Sequence, residues 1–206
     1  MFIWEKNIKM PDNLYNELID AIRNETSYYN RYDGSSGLTN ATYENTQNEY
    51  FTSFFDDSFK IEGLYEFYGE VIKEMMGQLG MWNRSRYEFE LWTQRYNIGT
   101  TSHEPHDHFS GCEIISFNHI IDATEKKCFY FQDDEENKIY PGKQDSGHFF
   151  AWPPWRVHGA DKVTEPNVNR LIIAGNISLK EYFDLEDKKL VCHKNAIEWQ
   201  KFQSGF

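Results

Sequence analysis

Long apolar runs are missing: nothing in the 206 residues approaches the length needed to span a bilayer, and mean hydropathy is -0.74. A helical membrane protein is thereby excluded. Positive charge is also short, with 21 Lys and Arg against 33 Asp and Glu and a formal net charge of -12. Non-specific nucleic-acid binding needs a basic surface that displaces counterions, so that function class is disfavoured. An enzyme acting on a neutral or basic partner remains compatible with the charge. Cysteine is scarce: Cys112, Cys128 and Cys192 are odd in number, scattered and without zinc-finger spacing. They exclude a disulfide framework and read as buried thiols in a reducing compartment. The opening MFIWEKNIKMPDN lacks the basic start and apolar core of a secretory signal, so a cytoplasmic location is expected and the sequons at Asn40 and Asn83 carry no weight. No repeat, low-complexity tract or domain boundary interrupts the chain, and one domain over 1–206 is the expectation.

Aromatic residues are abundant, at 17% of the chain. Such rings bury large areas and favour strands, which points to a β-rich aromatic core. Residues 11–24 carry Pro11 at the opening turn and Leu14, Leu18, Ile19 and Ile22 at helical spacing, so a helix is predicted there. Residues 25–58 are rich in Asn, Thr, Ser, Tyr and Gly without a sustained period. They read as a long surface excursion, either a lid over a site or a plain insertion. A second helix is predicted over 61–79, where Leu64, Phe67, Tyr68, Val71, Ile72, Met75 and Leu79 draw one apolar stripe and Gly80 follows as a stop. From residue 86 the texture changes to short strands, at 87–96, 112–121, 127–132, 147–152, 156–163 and 170–177. With no helical pattern between them they suggest an antiparallel sandwich or barrel. The charged tail after Lys180 is expected to be partly helical and to pack outside.

Four of the seven histidines stand in two segments: His103, His106 and His108 in TTSHEPHDHFS, and His158 in WPPWRVHGADKV. Residues two apart in an extended segment point to one side, so His106 and His108 can aim at one ion while Asp107 points away. His158 lies on a later strand that can return to the same core. The competing reading is a set of surface histidines in a polar loop. Imidazole suits iron, zinc, copper and nickel alike, so the ligands alone do not name the metal. His103, in its Thr- and Ser-rich setting, is expected in solvent; Trp152 and Trp155 are expected to brace the turn before His158. His119, His148 and His193 receive no role.

Taken in order, Arg95-Tyr96-Asn97-Ile98-Gly99, Pro105-His106-Asp107-His108, Gly147–Pro153, His158 and Asn169–Asn176 resemble the metal motif of prolyl-4-hydroxylase-like 2-oxoglutarate/Fe(II) dioxygenases. The resemblance covers roughly residues 88–177. It implies a mainly β fold with flanking helices, a double-stranded β-helix of jelly-roll or cupin-like type. The core would lie at 86–178, a helical and loop part at 1–85 and an extension at 179–206. It implies Fe(II) as metal and 2-oxoglutarate as co-substrate, with hydroxylation of a substrate C–H bond and release of succinate and CO2. Carried over, His106 takes the place of the first ligand, His158 that of the last, and Arg170 that of the residue gripping the far carboxylate of 2-oxoglutarate. A planar guanidinium suits that grip, although a structural ion pair is its other possible use. Tyr96 resembles a tyrosine that hydrogen-bonds the co-substrate; a core tyrosine is the alternative. The family usually has His-x-Asp, whereas His108 stands at the second position here. Neutral imidazole leaves the site one unit more positive, with consequences for redox poise and metal preference. The prime substrate reads as a small molecule or a peptidyl side chain. Two other accounts fit the sequence: a three-histidine cupin that needs no 2-oxoglutarate, and a non-catalytic binding module on the same fold.

Overall fold

The computed structural model describes residues 2–24, 50–53, 61–81, 86–96, 103–109, 113–123, 127–161, 170–179, 181–184, 189–192 and 200–203. Their elements run β1 (Trp4–Asn7), α1 (Asp12–Asn24), β2 (Tyr50–Thr52), α2 (Glu62–Gln78), β3 (Arg86–Tyr96), β4 (His103–His106) and β5 (Glu113–Asp122). These are followed by β6 (Phe129–Gln132), β7 (Lys138–Ile139), β8 (His148–Trp152), β9 (His158–Ala160), β10 (Arg170–Leu179), β11 (Glu181–Asp184), β12 (Lys189–Cys192) and β13 (Gln200–Gln203). The chain is thus mainly antiparallel β with two helices among the described residues, and neither helix is long and apolar enough to cross a membrane.

Both helices follow from their sequences. The Pro11 carbonyl accepts the Tyr15 N–H at 2.9 Å, opening α1, and Asp12 places a carboxylate in its first turn, where the helix dipole favours it. Leu14, Leu18 and Ile22 form its buried stripe. On α2, Leu64, Tyr68, Val71, Ile72, Met75 and Met76 are buried. Its end is a Schellman turn: Gly80 adopts φ 70°, its N–H bonds the Gly77 carbonyl at 3.1 Å, and the Met81 N–H bonds that of Met76 at 2.9 Å. The left-handed position explains why glycine stands there.

One sheet runs in the order β1-β8-β5-β10-β3-β13, with β2 also pairing β3; a second runs β4-β9-β6-β7, and β11 pairs β12. The central strands of the large sheet, β5, β8 and β10, are buried on both faces, and the two-residue period of a strand sorts their side chains. Phe89, Phe117, Phe149, Ile173 and Ile177 join the helices in one core. Trp92, Phe150, Trp152, Ile172 and Ala174 face the small sheet and pack with its Phe129 and Phe131 in another. Tyr68 of α2 stacks near Phe117, at 6.3 Å between ring centroids, which ties helix to sheet. The long apolar stripe of α2 therefore packs on the sheet as its sequence implied.

The described part of the tail is strand: β11 and β12 pair with each other, and β13 pairs with the start of β3. The rest of the tail, where a partly helical stretch was expected, lies outside the described residues. Of the surface excursion at 25–58 only 50–53 are described, so the expected lid lies outside the described residues. Cys128 is a buried free thiol; Cys112 and the Cys192 side chain also lie outside them.

Candidate metal centre

Strands β4 and β9 pair so that His106 stands directly opposite His158, and His103 opposite Ala160. That approach depends on Gly159. A Cβ there would meet the Tyr130 hydroxyl at 2.6 Å and the His103 carbonyl at 2.7 Å, so a larger residue would force the strands apart. His108 lies two residues beyond the end of β4, and its N–H bonds the Pro154 carbonyl at 2.9 Å. The Pro-Pro turn before β9 thus fixes the backbone of one histidine while leading into another.

The rings converge. Centroids lie 4.5 Å apart for His106 and His158, 4.8 Å for His108 and His158, and 5.1 Å for His106 and His108. One ligand nitrogen from each falls within 4.8 Å of the others, a grouping that could hold a metal ion. Each Nδ1 is already engaged. His106 Nδ1 faces the Glu104 carbonyl at 2.7 Å and His158 Nδ1 the Arg156 carbonyl at 3.0 Å. A carbonyl only accepts, so both Nδ1 atoms carry the proton and both Nε2 atoms present a lone pair. His108 Nδ1 faces the Asn176 side-chain oxygen at 2.8 Å and the Ser116 hydroxyl at 3.2 Å. Burial, first, holds all three imidazoles below their ordinary range: His108 to about 3, helped by the neighbouring His106, and His158 well below it. They are therefore neutral near pH 7, the form that binds metal. Asp107 is exposed and turned back, its carboxylate accepting the Phe109 N–H at 3.2 Å.

The walls of the cleft come from the strand rows of the large sheet. Opposite Ala174 stand Trp92 on β3 and Asn118 on β5; opposite Asn176 stand Glu90 and Ser116. Arg170, Gln94, Trp92 and Asn118 line the cleft with the histidines. Arg170 is 3% exposed and pairs in register with Tyr96, whose side chain lies outside the described residues. Asn97–Gly99 and Asn169 lie outside them as well.

Two expectations change. His103 is buried, with its ring 4.5 Å from that of His106, because pairing with Ala160 draws it between strands. Trp152 is fully buried against Phe129, Phe150 and His158, but Trp155 is 61% exposed and meets only the edge of an equally open Phe109. The sequence reading passed over Asn176, Glu90 and Ser116. Parity along β10 was the available signal, since 170, 172, 174 and 176 share one face. Of the histidines without a role, His119 lies on the helix side, bonded to Tyr68 and the Ile8 carbonyl, and His148 meets Glu5 at 3.1 Å. His193 is outside the described residues.

No protein-family model matches the chain, and no curated protein does. Solved structures do. A Pseudomonas putida prolyl-4-hydroxylase is similar over 85% of this chain and 91% of that one, at TM-score 0.56 and 11% identity. The non-haem alpha-ketoglutarate-dependent epimerase SnoN from nogalamycin biosynthesis is similar over 92% and 88%, at 0.55 and 12%. A prolyl hydroxylase from Trichoplax adhaerens, in complex with a hypoxia-inducible factor oxygen degradation domain peptide fragment, is similar over 85% and 82%, at 0.54 and 10%. At these identities the likeness is one of fold.

Proposed function

We propose that this chain is an Fe(II)- and 2-oxoglutarate-dependent dioxygenase of the His-x-His kind, with His106, His108 and His158 as metal ligands. One observation carries the reading: three neutral imidazoles, His158 buried and His106 and His108 half-buried, have their Nδ1 atoms tied back, leaving three Nε2 atoms free to converge. The strand order supports a double-stranded β-helix, since β3 to β6 and β8 to β10 alternate between the two sheets. That order also supports reading the chain as a single domain. The oxygenases sharing the fold favour iron and 2-oxoglutarate over the other metals that imidazole accepts.

Bound there, Fe(II) supplies the oxygen chemistry that protein side chains cannot. The chain supplies position and exclusion of water. Arg170, buried in the cleft wall, is placed to grip the far carboxylate of 2-oxoglutarate, with Tyr96 on the neighbouring strand as a second contact. Trp92, Phe129 and Ile172 keep the cleft dry on its remaining sides. A peptidyl side chain or small molecule is the favoured prime substrate: one enzyme of this fold holds a peptide, and the net charge of -12 opposes nucleic acid. Under air with Fe(II) and 2-oxoglutarate, slow succinate release is expected even without prime substrate. Arg170→Ala should raise the 2-oxoglutarate concentration required on the order of 10- to 100-fold, the worth of a charged hydrogen-bond pair. Equal requirements in the two proteins would remove Arg170 from this role.

A second reading, a three-histidine metalloprotein that does not use 2-oxoglutarate, is favoured by cavity size. The cleft offers about 30 Å³, room for a water or two. That is a tight space for a five-carbon diacid. Absence of succinate at any 2-oxoglutarate concentration, with metal bound, would select this reading.

A further inference from the structure

The three candidate ligands are not held alike. His106 and His158 each give their Nδ1–H to a backbone carbonyl two residues earlier, contacts at 2.7 and 3.0 Å that any sequence would offer. His108 depends on side chains from other strands. Its Nδ1 lies 2.8 Å from Asn176 Oδ1, which also accepts the Ser116 hydroxyl at 2.8 Å. The Asn176 amide nitrogen in turn donates to Glu90 Oε1 at 2.9 Å. Glu90, Asn176 and Ser116 stand directly opposite one another on β3, β10 and β5, so the row is built by strand register.

The polarity of this row is fixed along its length. Once ionised, the Glu90 carboxylate can only accept from Asn176, which turns the amide oxygen toward His108 and makes Nδ1 the donor. Nε2 is then the free nitrogen, as in the other two rings. The row ends in a carboxylate, and a hydrogen-bonded chain of this kind polarises each member in turn.

We propose that Asn176 and Glu90 are positioning residues for His108. Asn176 locks the ring's tautomer and direction, and Glu90 returns, through the amide, the negative charge missing from a ligand set of three neutral imidazoles. The inference rests on the three-histidine reading above. Burial, opposed by the Asn176 hydrogen bond and reinforced by Glu113, pushes the Glu90 carboxyl up to about 7, and a divalent ion at the histidines would favour its charged form. A merely structural plug would work equally well with a neutral acceptor in place of Glu90.

Glu90→Gln separates the two, because it keeps an acceptor for Asn176 and removes only the charge. Titration with Co(II), followed by its visible d–d bands, is expected to show affinity reduced about 10- to 100-fold in Glu90→Gln and at least as much in Asn176→Leu. In metal-free wild-type protein, long-range 1H–15N correlations are expected to place the His108 proton on Nδ1; Asn176→Leu should release that preference, and Glu90→Gln should keep it. Co(II) affinity within twofold of wild type in Glu90→Gln would overturn the charge role. A wild-type proton on Nε2 would overturn the positioning role, even if neither variant folded. Failure of wild-type protein to bind Co(II), with the Nδ1 proton in place, would instead sink the three-histidine reading.

Discussion

Burial and the partner of the second nitrogen together set the state of the imidazoles at the candidate site. His119 shows the principle away from the candidate site. The Tyr68 hydroxyl donates to its Nδ1 at 2.7 Å, its Nε2–H donates to the Ile8 carbonyl at 2.8 Å, and burial holds its pKa at about 4. The unfolded chain takes up that proton near pH 6.5. Between the two values the unfolded state binds more protons, so the fold loses stability as pH falls from 6.5 toward 4. Glutamine can serve both partners without titrating. In urea unfolding of metal-free protein, the stability lost between pH 7 and pH 4.5 should be about 2 kcal/mol smaller in His119→Gln than in wild type. An identical loss in the two would show that this imidazole is not neutral in the fold. His119 had no legible role because its partners stand 51 and 111 residues away. The buried position of His103 was hidden for the same reason.

At the level of elements, the helices and the central strands were readable. The stripe on α2, its stop at Gly80, the alternation through β3 and the short strand-like runs of β5, β8 and β10 are local patterns, and local patterns survive without knowledge of partners. Strands made by pairing were not. The four residues of β1 read as nothing, yet they close the edge of the sheet against β8. β11 to β13 stand where the charged tail carried no strand pattern. The site shows the same division: spacing paired His106 with His108 and a later strand offered His158, while Glu90 and Asn176 required the register of β3 against β10. Gly159 is where element geometry bears on the site. Gly159→Ala should push β9 from β4, costing about 1–3 kcal/mol of stability and separating His106 from His158. Thermal unfolding and a Co(II) titration check this together. A variant that melts lower but binds Co(II) as tightly as wild type would show that the spacing of β4 and β9 does not set the ligand geometry.

Over the whole molecule, one sheet divides the labour. Its helix side is an apolar core of Phe, Ile, Leu and Met, and its other side mixes aromatic packing with the polar rows that reach the histidines. Three outcomes remain distinct on such a scaffold: a 2-oxoglutarate oxygenase, a three-histidine metalloprotein and a binding module. Anaerobic titration of metal-free protein with Fe(II) and 2-oxoglutarate, followed in the visible, separates them in one experiment. The account predicts a metal-to-ligand charge-transfer band that saturates near one equivalent of Fe(II) and weakens in Arg170→Ala. Fe(II) bound without a band at any 2-oxoglutarate concentration would contradict the co-substrate, and no Fe(II) bound at all would contradict the metal centre itself.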